Sequence, residues 1–156
     1  MMNDPVNDWT KTLRIEFDQA VADAHLDFLQ HSSQVRLYFN VDTTTVQAAT
    51  AFTDSVNQLL GRLPSLQNAV ADAAFEGYSL LVEQLGKEES LPEANDAKAL
   101  LPFYKLTAIY LPNEPQEGHF GLGFECEFEE EHGMGIRFRN WQIEESGDVS
   151  VAFSLD

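Results

Sequence analysis

The sequence predicts an α+β domain: an antiparallel sheet of about six to seven strands with an antiparallel helix pair packed on one face. Three patterns carry that reading. Leu13, Ile15 and Phe17 alternate with Arg14 and Glu16, and Val35, Leu37, Phe39 and Val41 alternate with Arg36, Tyr38 and Asn40, as half-buried strands do. Between residues 43 and 86 apolar side chains recur at three- and four-residue steps, the period of an amphipathic helix. From residue 104 onward short alternating runs return, separated by Gly, Pro and Asn.

Taken in order, residues 11–41 hold the N-terminal strands. Residues 18–33 fit a short helix about as well as an irregular strand. Thr43, Thr44 and Thr45 offer N-cap oxygens to a first helix, whose stripe is Ala49, Phe52, Val56, Leu59 and Leu60. Gly61 reads as its C-cap, and Pro64 suits the first turn of a second helix. Leu66, Val70, Ala73, Ala74, Tyr78, Leu81 and Leu85 form the second stripe, which Gly86 ends. Gly77 stands inside that helix at a cost of roughly 1 kcal/mol against Ala, which suggests the close approach of another element. Residues 87–102 are polar with two prolines and read as a linker inside the domain, with a brief helix over 94–101. Residues 104–154 read as a C-terminal β-meander, ending in a strand built on Val149, Val151 and Phe153. The whole of 1–156 is expected to form one domain.

Composition narrows the function classes. A hydrophobic content of 44%, with eleven Phe and two Trp, supplies a core. The chain carries 26 acids against nine bases, a net charge of −17. Nucleic acid is disfavoured as a partner because phosphate binding needs clustered Lys and Arg, and anionic membrane surfaces are disfavoured for the same reason. A basic protein would be steered toward this surface. Cys126 is the only cysteine, so no internal disulfide forms. The opening residues show no signal peptide and no apolar run reaches the ~18 residues of a membrane span. A soluble cytoplasmic protein is the expectation.

The most specific stretch is the hairpin over residues 120–139. Phe120, Leu122, Phe124, Cys126 and Phe128 share one face, as do Met134, Ile136 and Phe138. The pattern suggests Phe128 opposite Met134, Cys126 opposite Ile136 and Phe124 opposite Phe138, with Glu125 opposite Arg137 on the polar face. Gly121, Gly123, Gly133 and Gly135 lie on that polar face and permit bulges or the close approach of another backbone. The turn holds Glu129, Glu130, Glu131 and His132. A Glu/His cluster can bind a divalent metal, but one short turn supplies too few converging ligands. A Glu–His pair can also serve as a general acid or base, yet no nucleophile or oxyanion donor can be named beside it. A two-residue turn at Asn140 and Trp141 would place Phe138 opposite Ile143 and Arg137 opposite Glu144. Trp141 there is either a lid over the core or an anchor for a partner.

Residues 127–138, with Gly147 and Asp148, resemble an uncharacterised bacterial domain family whose members carry acidic residues, then E-H-G-L-G-I/V-x-F, then a turn and a late Gly and Asp. Glu131, His132, Gly133, Gly135, Ile136 and Phe138 match, and Met134 stands in for Leu. In this chain Gly147 is followed directly by Asp148, so the late spacing departs from the pattern. Some relatives look like immunity proteins encoded beside bacterial toxins, which the resemblance extends to this chain as an expectation. No catalytic residue, cofactor or metal ligand comes with it. The expected function is protein binding, with Glu129, Glu130, Glu131, His132 and Trp141 as the candidate contact residues. The alternatives are a metal-dependent or acid–base enzyme using His132 and nearby carboxylates, and a structural module in which a sheet edge pairs with its twin.

Overall fold

Residues 8–85 and 91–155 are described by the computed structural model. Seven strands form one sheet in chain order: β1 (Arg14–Glu16), β2 (Gln19–Phe28), β3 (His31–Tyr38), β4 (Tyr104–Tyr110), β5 (Phe120–Cys126), β6 (Met134–Arg139) and β7 (Gln142–Gly147). The segment that could be read two ways is therefore strand. In it, Ala20, Ala22, Ala24, Leu26 and Phe28 fall at even positions and are all buried, and Val21 is buried on the other face. Tight turns bound it: Phe17 and Asp18 (φ 51° and 61°), then Leu29 and Gln30 (φ 50° and 68°). Two successive positive φ angles match the right-handed twist of a hairpin. Asn140 and Trp141 (φ 54° and 64°) make the same turn between β6 and β7.

Two expectations fail together. The sheet is mixed, because β3 and β4 run parallel, with Leu37 opposite Ile109 and Tyr38 opposite Tyr110. The helix pair is a single helix, α2 (Thr53–Leu85), preceded by the short α1 (Val46–Thr50). The two facts have one cause. A helical hairpin returns the chain to the end it left and makes the next strand antiparallel, whereas one helix carries the chain across and makes it parallel. Gly61 does not stop the helix and Pro64 sits inside it. A proline there costs ~3 kcal/mol. Leu59, Leu60, Leu63 and Leu66 are nonetheless buried on both sides of it. At roughly 1.5–3 kcal/mol for each buried side chain, that stripe outweighs the break. Thr45 caps α1 by accepting from the Ala48 N–H at 3.0 Å, and α3 (Ala97–Leu100) follows the segment that lies outside the described residues.

The core lies between α2 and one face of the sheet. Trp9 closes one end, its ring tilted against Phe39 at 5.9 Å and bonded through its indole N–H to Asn57 of α2 at 2.9 Å. Phe120 and Phe138 stack at 4.7 Å in the same core.

The opposite face is partly covered by the last helical turn, α4 (Ser150–Phe153), where alternation had suggested a strand. The register of β5 and β6 explains the change. Phe124 pairs with Met134, Leu122 with Ile136 and Phe120 with Phe138, four residues from the expected register. The slip is even, so every side chain keeps its expected face. It aligns Gly123 with Gly135 and leaves a trough that α4 fills. A Cβ on Gly121 would stand 1.7 Å from the Ala152 carbonyl oxygen, and one on Gly135 2.4 Å from that of Asp148. No larger residue fits either position. Glu125 consequently faces Lys105 of β4 and not Arg137. Arg137 faces Glu145 across a bulge and bonds both Glu144 and Glu145 at 2.7 Å, while Phe138 lies opposite Ile143 as expected. Arg137 also donates to the Ser154 carbonyl at 3.0 Å, which ties α4 to the sheet. Buried His119 reinforces that tie, its ring nitrogens meeting the carbonyls of Phe138 at 3.2 Å and Leu155 at 3.0 Å.

Candidate functional site

A groove of about 450 Å³ opens between the second half of α2 and the turn that joins β5 to β6. The even register slip creates it. Because Phe124 and not Phe128 is the last β5 partner of Met134's side, residues 127–133 form a wide loop, held by Glu129 N–H to the Cys126 carbonyl (3.1 Å) and Gly133 N–H to the Glu129 carbonyl (2.8 Å). That loop folds against α2, where Phe128 meets Tyr78 edge-on at 5.9 Å and Tyr104 at 5.6 Å. Met134, Cys126, Tyr104 and Phe128 give the groove an apolar base, and Ala74, Gly77, Tyr78 and Leu80 of α2 give it a wall. Val149 then locks the far side, its N–H donating to the His132 carbonyl at 2.9 Å.

The polar lining is acidic. Glu76, Glu129 and Asp148 border the groove, and among the described residues no lysine or arginine does. His132 Nδ1 lies 3.4 Å from Glu129 Oε1. The Ser150 hydroxyl and N–H bond the Asp148 carboxylate and, with the nearby His132, hold it below the usual carboxylate range. The remaining titratable groups are arranged against nucleophilic chemistry. Burial pushes the Cys126 thiol up, away from the reactive thiolate. Burial, with Cys126 adjacent, pushes the Tyr104 hydroxyl up as well. The Glu129–His132 pair has the form of an oriented acid–base, but it stands with 60% of its imidazole side chain exposed and has no activated nucleophile beside it. Among the described residues no group of three or more His, Cys, Asp and Glu side chains is placed to hold a metal ion.

The five residues singled out by sequence are divided. Glu129 and His132 are together at the groove, and Glu130 and Glu131 are exposed in the same turn. Trp141 lies at the other end of β6. There it is half-buried, packs on Phe120 at 5.8 Å and carries the Arg62 guanidinium 4.0 Å above its ring. Glu76 and Leu80 were not singled out; nothing local in the sequence marks them as neighbours of a turn fifty residues away. Gly77 did carry a signal, a glycine inside a helix, although the element it was expected to admit is not there: a Cβ at Gly77 meets nothing within 4 Å.

These features define an α+β domain with one long helix across a mixed seven-stranded sheet and an acidic groove between helix and hairpin. The chain belongs to the family described as a domain of unknown function, DUF6985, which it matches over residues 9–153. No curated protein and no solved structure is significantly similar to it. Among the described residues no helix is long and apolar enough to cross a membrane.

Proposed function

We propose that this is a protein-binding domain that engages a basic partner through the 127–133 loop and the α2 face beside it. The observation that carries the reading is how the charges are distributed. The arginines are used internally: Arg14 and Arg36 close a ring with Glu16 and Asp23, Arg137 and Arg139 hold Glu144 and Glu145, and Arg62 covers Trp141. Among the described residues Glu127, Glu130 and Glu131 have no such ion pair. Concentrated, unneutralised carboxylates on one loop speed encounter with a basic surface and repel an acidic one. The resemblance at residues 131–138 to an uncharacterised family, some members of which look like immunity proteins, suggests a finer form, in which the partner is a toxin.

Pairing between sheet edges is less favoured. β1 is three residues long, and β7 carries glutamates 144 and 145; short or charged edges resist such pairing.

The test is association with a basic protein encoded beside this gene. Changing Glu129, Glu130 and Glu131 together to lysine should lower the on-rate by about tenfold or more at low salt and flatten its salt dependence. An unchanged on-rate and salt dependence would remove the loop from the interface.

A further inference from the structure

We infer that the groove between α2 and the 127–133 loop is an anchor pocket for an arginine side chain on a basic segment of the partner polypeptide, with Gly77 keeping its wall low. The inference rests on the protein-binding reading and adds a specific site to it. Gly77 weakens the helix that carries it. Among the described residues no neighbour explains that choice, since a Cβ there would meet nothing within 4 Å. Gly61 is similarly uncrowded and, like Gly77, exposed, but it does not line this groove. Gly77 instead lines a groove where apolar and acidic groups converge. Leu80, one turn further on, lines the same groove and remains 53% exposed.

The shape and chemistry fit arginine. The groove, at about 450 Å³, is within the range that ligand pockets occupy and takes a side chain with its flanking backbone, not a folded element. Ala74, Tyr78, Phe128 and Met134 match an aliphatic stem, which long cationic side chains lay along apolar surface. The rings of Tyr78, Tyr104 and Phe128 pack edge to face at 5.6–5.9 Å along the groove, and the half-buried Phe128 is the one beside which a planar guanidinium would lie. Glu76, Glu129 and Asp148 at the border accept from its forked N–H groups, a geometry that an ammonium does not match.

The test uses the whole chain and blocked peptides of one length bearing arginine, lysine or glutamate, followed by NMR. The arginine peptide should bind saturably, shifting the Met134 methyl and the amides of Gly77 and Gly133, and more tightly than the lysine peptide. Gly77→Leu fills the groove without changing charge and should weaken the arginine peptide by about tenfold or more, with helicity retained by circular dichroism. Glu129→Gln/Glu130→Gln/Glu131→Gln should weaken both cationic peptides. If Gly77→Leu binds as the wild type does, or the shifts are confined to Glu130 and Glu131, the pocket is wrong while the acidic-surface reading stands. Equal affinity for lysine overturns the guanidinium preference, and binding by free spermidine as tight as by the peptide overturns a polypeptide occupant. No response to any cationic peptide at low salt sinks both readings.

Discussion

Gly121 and Gly135 lie under α4, where a Cβ would come within 1.7 Å and 2.4 Å of backbone carbonyl oxygens; Gly77 lies on α2, where a Cβ would meet nothing within 4 Å. In the sequence the two kinds look alike, as glycines interrupting an apolar pattern. Physically they are opposites. The first are required by the fold, because α4 occupies the space their side chains would need. The second is required by no neighbour among the described residues and makes its helix less stable. A glycine that internal packing explains is poor evidence for a binding site. One that weakens its own element and borders a groove is better evidence, and that is why the glycines beside the hairpin drop out of the functional reading while Gly77 enters it.

Substitution separates the two. Gly121→Ala should be the most damaging single change considered, because the obstacle is backbone and cannot rotate away. Over-packing typically costs about 1–3 kcal/mol, and a backbone obstacle puts this change at the upper end of that range. The loss should appear in the chemical denaturation midpoint and in faster amide exchange over α4. A stable Gly121→Ala protein with protected α4 amides would show that the trough is looser than its geometry. Gly77→Ala should do the reverse and raise stability by about 1 kcal/mol, the ordinary helix preference for alanine. A fall in stability there would mean that the glycine serves an internal purpose and would weaken its use as evidence for a ligand.

The same contrast shows what could be read beforehand. Faces were legible in the hairpin, where alternation fixes which side chains point to the core, but not at the N-terminal edge, where Ile15, Phe17 and Val41 alternate like core residues and are exposed. Register was not. Slips of two or four residues preserve every face, so the pairing of Phe124 with Met134 was decided by the loop and by α4, which lie outside the alternating pattern. Gly61 and Pro64 are genuine local stop signals, and the buried stripe from Val56 to Tyr78 overrode both. Because the helix is single, β4 runs parallel to β3 rather than antiparallel. Val149, Val151 and Phe153 alternate like a strand, yet form a helical turn because the glycine trough accepts one. Of the groove, Glu129 and His132 were visible as a local cluster. Glu76 and Leu80 were not, since only the path of α2 brings them there.

The smallest expected effect concerns how α4 is held in its trough. Arg137 reaches the Ser154 carbonyl while its other nitrogens bond Glu144 and Glu145. Hydrogen bonds from Arg137 and then Arg139 keep the Glu144 carboxyl below its ordinary value of 4.5. A carboxyl lowered in the folded state contributes stability that is present above its unfolded value and is lost as pH falls through the folded one. Acid should therefore loosen this clamp, and neutral pH should preserve it. Glu144→Gln removes the ionisable group, so it should lower stability slightly at about pH 7 and shrink the further loss on going to about pH 3. The difference between wild type and variant should narrow in acid, read from denaturation midpoints at both pH values. Because the pair is exposed to solvent and salt, the effect belongs with those of surface ion pairs, well below that of Gly121→Ala. If the difference widened in acid, Glu144 would not be acting through its charge on Arg137, and the hold on α4 would rest on the glycine trough and the His119 bonds alone.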